Sequence, residues 1–381
     1  MCDTSGWSYD AKLAVAKRPE LELFLEQVLP IAEERHVVLS YIASLLSGHR
    51  RAKKFLIFTD RSDGNNGKSK LADLVKKFYG RMADDNGKKF VCRPVTEHGD
   101  RNSQDAGKQF MKNKRVVVAE ELKQHMLLDE SLLKELVSPD PMVSGRGFHE
   151  AKSFQFAWTA GFILIMNAGC MPKVDPADSA FWSRVIVVPF RSKFLPEAAI
   201  KPSEATEVEE DKNEPSFVFP MDQGVGAKFV GWLSAFADVL CEHYDASNKV
   251  FDELPASMGR WKDGVKAVNN PVAEWLETTA LEFTNNTTDL SHRVIFDDQF
   301  VRVMYDRFVQ DKNSSTIRID GFRVMASAFL KDRCRECHIG DGKPARVRLP
   351  CGGSKNSKNV MIGLRIKAHD DSADVADMMD V

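Results

Sequence analysis

Between Leu21 and Leu46 the apolar residues fall at helical spacing: Leu21, Phe24, Leu25 and Val28, then Val37, Val38, Tyr41, Ile42, Leu45 and Leu46. A stripe that returns every three or four positions predicts helix. Pro30 separates two such helices, and Gly48 closes the second. The pattern then changes. Phe55-Leu56-Ile57-Phe58, Val116-Val117-Val118-Ala119, Phe162-Ile163-Leu164-Ile165-Met166 and Val185-Ile186-Val187-Val188-Pro189-Phe190 are short, unbroken apolar runs. Runs of this length predict strands covered on both faces, as in a parallel sheet. A helical pattern follows the first run at Leu71–Phe78, and another spans Leu128–Leu136, with Asp129 as its cap and Ser138-Pro139-Asp140-Pro141 as its end. Val143 to Lys152 alternates through Gly145 and Gly147, which predicts a hairpin. The fold class is α/β.

The second half reads as helices and then strands. Phe229, Trp232, Leu233, Phe236 and Leu240 give a helix over Gly226–Tyr244. Asn270 before Pro271 starts another, with Val272, Trp275, Leu276 and Leu281 as its buried stripe. Two more helices are expected near Asp297–Lys312 and Asp320–Cys337. Strands at Ala345–Leu349 and Val360–Ile366 then flank a basic loop, Gly352 to Lys358, a pattern that suggests a winged helix. Arg346, Arg348, Lys355 and Lys358 could contact phosphates, or simply decorate a solvated hairpin. Residues 203–216 read as an acidic linker or surface loop, and Asp370 to Val381 as a disordered acidic tail. The organisation expected is a helical segment at 10–50, a phosphate-loop core at 51–200, the linker at 201–222, a helical and winged-helix-like region at 223–368, and the tail at 369–381.

Composition narrows the classes. The chain has 381 residues, 43% hydrophobic and 28% charged, with a net charge of −2. That is enough chain for two or three domains with a core. There is no global basic field, so any nucleic-acid contact has to be local, in a groove or channel. Met1 to Trp7 carry no basic stretch and apolar core, so no secretory leader is expected there; no apolar run approaches ~18 residues, so no membrane span is expected. The seven cysteines are scattered, which suits a reducing, intracellular compartment. Cys334-Arg335-Glu336-Cys337-His338 has the form of a haem attachment site, but that chemistry requires export. A zinc site with Cys351 would lack its second cysteine pair.

The chemistry centres on Ser62-Asp63-Gly64-Asn65-Asn66-Gly67-Lys68-Ser69, set between the first apolar run and a helix. Strand, glycine-rich turn and helix start is the context of a phosphate-binding loop. Gly64 and Gly67 let backbone N–H groups turn onto phosphate oxygens, with Asn65 and Asn66 between them. Lys68 would reach the β- and γ-phosphates, and the Ser69 hydroxyl would hold Mg²⁺. The bland alternative is a flexible polar turn. Glu120 and Glu121 end the second apolar run; one can serve the Mg²⁺ shell and the other deprotonate an attacking water, unless the pair is only a solvated strand end. Asn167, after the third run, is either a turn former or a group that positions water beside the γ-phosphate. Arg184, before the fourth, is either a structural ion-pair partner or a finger acting on a neighbouring subunit's nucleotide. The hairpin tip, with Arg146, Phe148, His149 and Lys152, could touch a nucleic-acid backbone and its bases, or be an ordinary exposed turn.

Five motifs now stand in order: Gly-Asn-Asn-Gly-Lys-Ser, an apolar strand into Glu-Glu, Leu-Asp-Glu-x-x-x-Lys-Glu-Leu, an apolar strand into Asn-x-x-x-x-Pro, and Trp-x-Arg before a strand ending Pro-Phe. The set resembles the superfamily 3 helicases, and within them the poxvirus-type helicase–primase ATPases of large DNA viruses, phages and plasmids. The resemblance covers residues 20–195 and continues weakly beyond. It implies an AAA+-like ATPase core with N-terminal helices and a C-terminal helical and winged-helix domain. It implies ATP and Mg²⁺ as cofactors, a ring of identical subunits, a hexamer, and single-stranded or forked DNA as partner. By position, Lys68 and Ser69 match the phosphate-loop pair, Glu121 the acid of the second motif, Asn167 the sensor and Arg184 the arginine finger. Glu120 stands where the family often has a small polar residue, and Lys134, Asp140 and Arg146 fall in a segment used near DNA. The chain departs from the pattern at Ser62, where glycine is usual, at Ser138-Pro139-Asp140 for Gly-Gly-Asp, and at Ser183-Arg184 for Arg-Arg. No polymerase-like region precedes residue 20, so a primase would be a separate partner. The implied activity is an ATP-dependent DNA helicase of viral or mobile-element replication, at a replication site in host cytoplasm or nucleus. The alternatives are a degenerate ring ATPase serving as a DNA-binding or loading platform, and a non-motor P-loop NTPase or kinase.

Overall fold

The structure is a computed structural model. It describes residues 4–48, 52–60, 64–94, 108, 110–123, 126–139, 141–146, 153–167, 170–172, 174–175, 178–199, 215–268, 270–283, 293–295, 298–312, 318–333, 345–348, 354–357, 360–362 and 364–366. The chain divides into two compact units, residues 1–265 and 266–381.

The first unit opens with α1 (Ala11–Val28), whose N-terminus is capped by the Asp10 carboxylate accepting from the Lys12 and Leu13 backbone N–H groups. Pro30 lies between α1 and α2 (Ala32–Ser44), as the pattern predicts. The elements that follow are β1 (Phe55–Thr59), α3 (Lys68–Tyr79), β2 (Ala83–Asp84), α4 (Gly87–Val91), β3 (Cys92–Pro94), β4 (Val116–Ala119), β5 (Met126–Leu128) and α5 (Glu130–Leu136). Then come β6 (Met142–Arg146), β7 (Ser153–Ala157), β8 (Gly161–Ile165), α6 (Ser179–Trp182), β9 (Val185–Pro189), β10 (Ser192–Leu195), β11 (Phe217–Pro220), α7 (Val225–His243) and α8 (Ala256–Val268).

The four apolar runs become β1, β4, β8 and β9, and every residue of each is buried. With the short β2 they form one parallel sheet in the order β2-β4-β8-β1-β9. Alternate side chains go to opposite faces. Leu56, Phe58, Val118, Ile163 and Ile186 pack with α1, α2, α3 and α7, while Phe55, Ile57, Val117, Leu164 and Val187 pack with Trp158, Leu133 and Phe181. Both faces are covered, so each apolar side chain is worth about 1.5–3 kcal/mol on burial, which is why the runs are continuous. β6 and β7 pair as the expected antiparallel hairpin, Arg146 opposite Ser153.

α7 packs against α1, α2 and α3, with Trp232 against Phe24 and Phe229, and Phe236 against Phe78. It therefore belongs with the sheet, and the division between the units falls at 265/266, after the acidic segment. The second unit holds α9 (Pro271–Trp275) running into a π turn at Leu276–Ala280, then β12 (Leu281–Phe283), β13 (Arg293–Ile295), α10 (Asp298–Lys312) and α11 (Ile319–Arg333). β14 (Ala345–Arg348), β15 (Ser354–Ser357), β16 (Val360–Ile362) and β17 (Leu364–Ile366) complete it. Trp275, Phe300, Met304, Phe308 and Phe322 form its core. Here the strand pairing differs from the sequence expectation. β14 pairs with β15, a segment read as loop, while the 360–366 run splits to pair with β13 and β12. Alternation alone does not choose a strand's partner, so this could not be read locally. Among the described residues no helix is long and apolar enough to cross a membrane. The acidic linker at 203–214, Cys334–His338, Cys351, Lys358 and the tail lie outside the described residues.

Candidate functional site

β1 ends at Thr59 and is followed by Asp60, which is buried; Ser62 and Asp63 lie outside the described residues. The chain returns at Gly64 with φ +104°, Asn65 with +55° and Gly67 with +86°, and α3 begins at Lys68. Asn66, between two left-handed residues, is not itself left-handed. Alternating hand turns successive N–H groups to one side, the concave arrangement that binds anions. The first N–H groups of α3 point the same way, because a helix's first turn has no intrahelical acceptors for them. Gly67 is required twice: its φ is positive, and a β-carbon there would lie 2.9 Å from Val28 Cγ2. Ser69 is exposed at the start of the helix. Backbone donors, a lysine and a serine hydroxyl are a donor set that fits a triphosphate with a hard divalent cation.

Lys68 itself is only 4% exposed, and its Nζ donates to Asp60 Oδ2. Asn66 Nδ2 donates to the same oxygen. Burial pulls the Lys68 pKa below the usual lysine value, with Asp60 opposing the shift. Nothing in the sequence reading singled out Asp60. The signal would have been a lone acid between an apolar strand and a glycine-rich turn.

The other strand ends rise at the same edge. β8 runs parallel to β1 with Phe58 opposite Ile165, and the Met166 N–H donates to the Phe58 carbonyl at 3.1 Å. Extending that register sets the exposed Asn167 level with Asp60. β4 is parallel to β8 with Ala119 opposite Leu164, so Glu121 falls level with Met166. Asp60, Asn167 and Glu121 thus follow the carboxyl ends of three consecutive strands, and Lys68 joins them through its bond to Asp60. The two acids diverge. Glu120 Oε1 accepts from Lys76 Nζ at 2.7 Å, and Lys76 is eight residues, about 12 Å, along α3 from Lys68. Glu121 is held at φ +56°, its side chain 82% exposed, with Lys88 Nζ 3.8 Å from its carboxylate.

Arg184 sits elsewhere. Its carbonyl accepts from the Phe55 N–H at 2.9 Å, at the entry to β1 and β9. Five residues of strand separate that edge from the phosphate loop, about 16 Å. Its Nη1 donates to the Ala180 carbonyl, and its Nε is buried with no hydrogen-bond partner among the described residues. Lys54 Nζ, beside it, donates to the Ser183 carbonyl at 2.9 Å, and burial lowers its pKa. Lys134 bonds Asp178, whose other oxygen accepts from the Phe181 N–H at 2.9 Å, so Lys134 braces the turn that carries Arg184. Arg146 ends β6; Asp140, Phe148, His149 and Lys152 lie outside the described residues.

One further feature adjoins the loop. A cavity of about 260 Å³ opens beside Asn65 and Gly67, walled by Phe24 and Val28 of α1, Phe194 of β10, Met221, and Trp232 of α7. Its walls come from segments some two hundred residues apart, so the sequence reading passed over it.

No protein-family model matches the chain. Over 224 residues it is 27% identical to "Putative helicase L207/L206" of Acanthamoeba polyphaga mimivirus, a match covering 58% of this chain and 22% of that protein. Over 209 residues it is 26% identical to "Putative helicase 022R" of Frog virus 3 (isolate Goorha), covering 55% and 20%. The chain spans about a fifth of the length of these curated relatives. Among solved structures, the apo NrS-1 C-terminal region superposes with a TM-score of 0.44 at 11% identity, over 93% of this chain and 76% of that one. The chain is thus similar, over a little more than half its length, to these "Putative helicase" proteins of large DNA viruses, and the order of its motifs resembles that of the superfamily 3 helicases.

Proposed function

We propose that the chain is the motor subunit of an ATP-dependent DNA helicase, assembled as a ring, a hexamer, that hydrolyses ATP between subunits. The observation that carries this reading is the placement of Lys68, Asn167 and Glu121 on one edge of the sheet and Arg184 on the other. In this reading the N–H groups of residues 65–69 bind phosphate oxygens and Lys68 neutralises the β- and γ-phosphates. Bound Mg²⁺, held through the Ser69 hydroxyl, supplies further charge neutralisation. Glu121 takes a proton from the attacking water, and Asn167 orients that water. Arg184, about 16 Å from its own subunit's loop, faces the neighbour's nucleotide and neutralises charge on the transferring phosphoryl group. The apolar cavity beside the loop receives the base. The hairpin carrying Arg146, Phe148, His149 and Lys152 moves with the cycle along one strand of single-stranded or forked DNA.

A second reading is a ring platform that binds nucleotide and DNA with little turnover. The engagement of Lys68 by Asp60 and of Glu120 by Lys76 favours it. One assay separates the two: ATP hydrolysis with Mg²⁺, with and without single-stranded DNA. Turnover that DNA stimulates and Lys68→Ala abolishes is the expected result. A rate unchanged in Lys68→Ala would sink the site, and DNA binding without turnover would favour the platform.

A further inference from the structure

Asp60 is absent from the five-motif pattern, yet its carboxylate is 0% exposed and lies against the loop lysine. Lys68 Nζ and Asn66 Nδ2 both end on Asp60 Oδ2, and Asn66 Oδ1 accepts from the Lys68 backbone N–H at 3.4 Å. The carboxylate therefore organises the base of the loop. It also occupies Lys68 Nζ, the cation of the Gly-Lys-Ser turn. A lysine drawn down to the end of β1 cannot at the same time extend along the loop to the outer phosphates.

We propose that Asp60 is a positioning residue that competes with a triphosphate for Lys68, so that nucleotide capture exchanges one anionic partner of Lys68 Nζ, a carboxylate, for another, a phosphate oxygen. This rests on reading the loop as a triphosphate site. Only hydrogen bonds change hands. The exchange carries a cost, because a buried charge that loses its counter-ion is unfavourable and a carboxylate near phosphate repels it. The Asn66 amide stays on Asp60 and limits that cost. The pair tunes affinity downward while keeping the loop shaped for its ligand.

The test is Asp60→Asn in the full chain, which keeps size and an acceptor oxygen and removes the charge. A fluorescent ATP analogue, N-methylanthraniloyl-ATP, should bind about tenfold tighter, the scale of one charge-assisted hydrogen bond. KM for ATP should fall by a similar factor while kcat changes much less, a split that a merely structural role would not produce. Equal or weaker binding by folded Asp60→Asn overturns the proposal, and Asp60→Ser is read the same way if Asp60→Asn does not fold. Lys68→Ala keeps two failures apart. If the analogue binds wild type and Lys68→Ala alike, the triphosphate reading itself fails. If Lys68→Ala abolishes binding and Asp60→Asn does not tighten it, only the competition fails.

Discussion

Glu121 is one of four non-glycine residues with a positive φ among the described residues, and it follows the carboxyl end of β4. A glutamate held at φ +56° costs about 1 kcal/mol or more relative to ordinary backbone. Its neighbour Glu120 is tied to Lys76, so the two acids carry different expectations. Glu121→Gln should abolish turnover and leave nucleotide binding in place. Glu121→Gly should also abolish turnover while raising thermal stability by about 1 kcal/mol, because glycine adopts this backbone without penalty. Paired ATPase and thermal-denaturation measurements check this, and a Glu121→Gly variant that is less stable and fully active would refute both roles. Much at this scale was legible. Gly64 and Gly67 adopt the positive φ that the loop pattern demands, and Asp129 and Asn270 sit at helix N-caps. Asp60 was not legible, because a buried acid and a turn acid look alike until the partner is known.

At the scale of elements, α5 and the turn α6 form a brace for Arg184. Glu130 opens α5, and its Oε1 accepts from the Asp175 N–H at 2.8 Å beside the Lys134–Asp178 pair. Burial, reinforced by Asp178 and Asp175, pushes the Glu130 carboxyl up from 4.5 to about 7. The sign follows from linkage. The folded chain keeps this proton after the unfolded chain has released it, so the group's contribution is full below its unfolded value of 4.5 and is lost as pH rises to about 7. Glu130→Gln should flatten that part of the decline. Melting temperatures of the two proteins between pH 4.5 and 8 check it, and parallel curves would reject it. Lys134 falls in a segment that the family resemblance sets near DNA, and in this structure its side chain bonds Asp178.

For the whole molecule, the opposed edges bear on the proposed ring. The phosphate loop and Arg184 of one chain are separated by the length of β1 and cannot close on the same nucleotide. Two copies can, if the entry edge of one meets the carboxyl edge of the next. Arg184→Ala should therefore lose ATPase activity and keep nucleotide binding. Mixed with Lys68→Ala subunits, it should regain part of the rate, because some interfaces then pair an intact loop with an intact arginine. Titrating one variant into the other while following phosphate release checks this, and a rate that stays at zero across the mixture would argue against action in trans.

What the sequence by itself determined is whatever depends on neighbours along the chain. The glycines of the loop, the caps, the buried strands and the face each helix buries follow from backbone sterics and from burial on both sides of a sheet. What only the tertiary structure decided is who meets whom across distance. The order β2-β4-β8-β1-β9, the pairing of Asp60 with Lys68, the partners of β15, β16 and β17, the packing of α7 on α1 and the place of Arg184 all belong to that class. The reason is physical: an apolar stripe or a lone charge specifies that it must be covered or paired, and many segments could satisfy it. Only the simultaneous closing of every such requirement selects one.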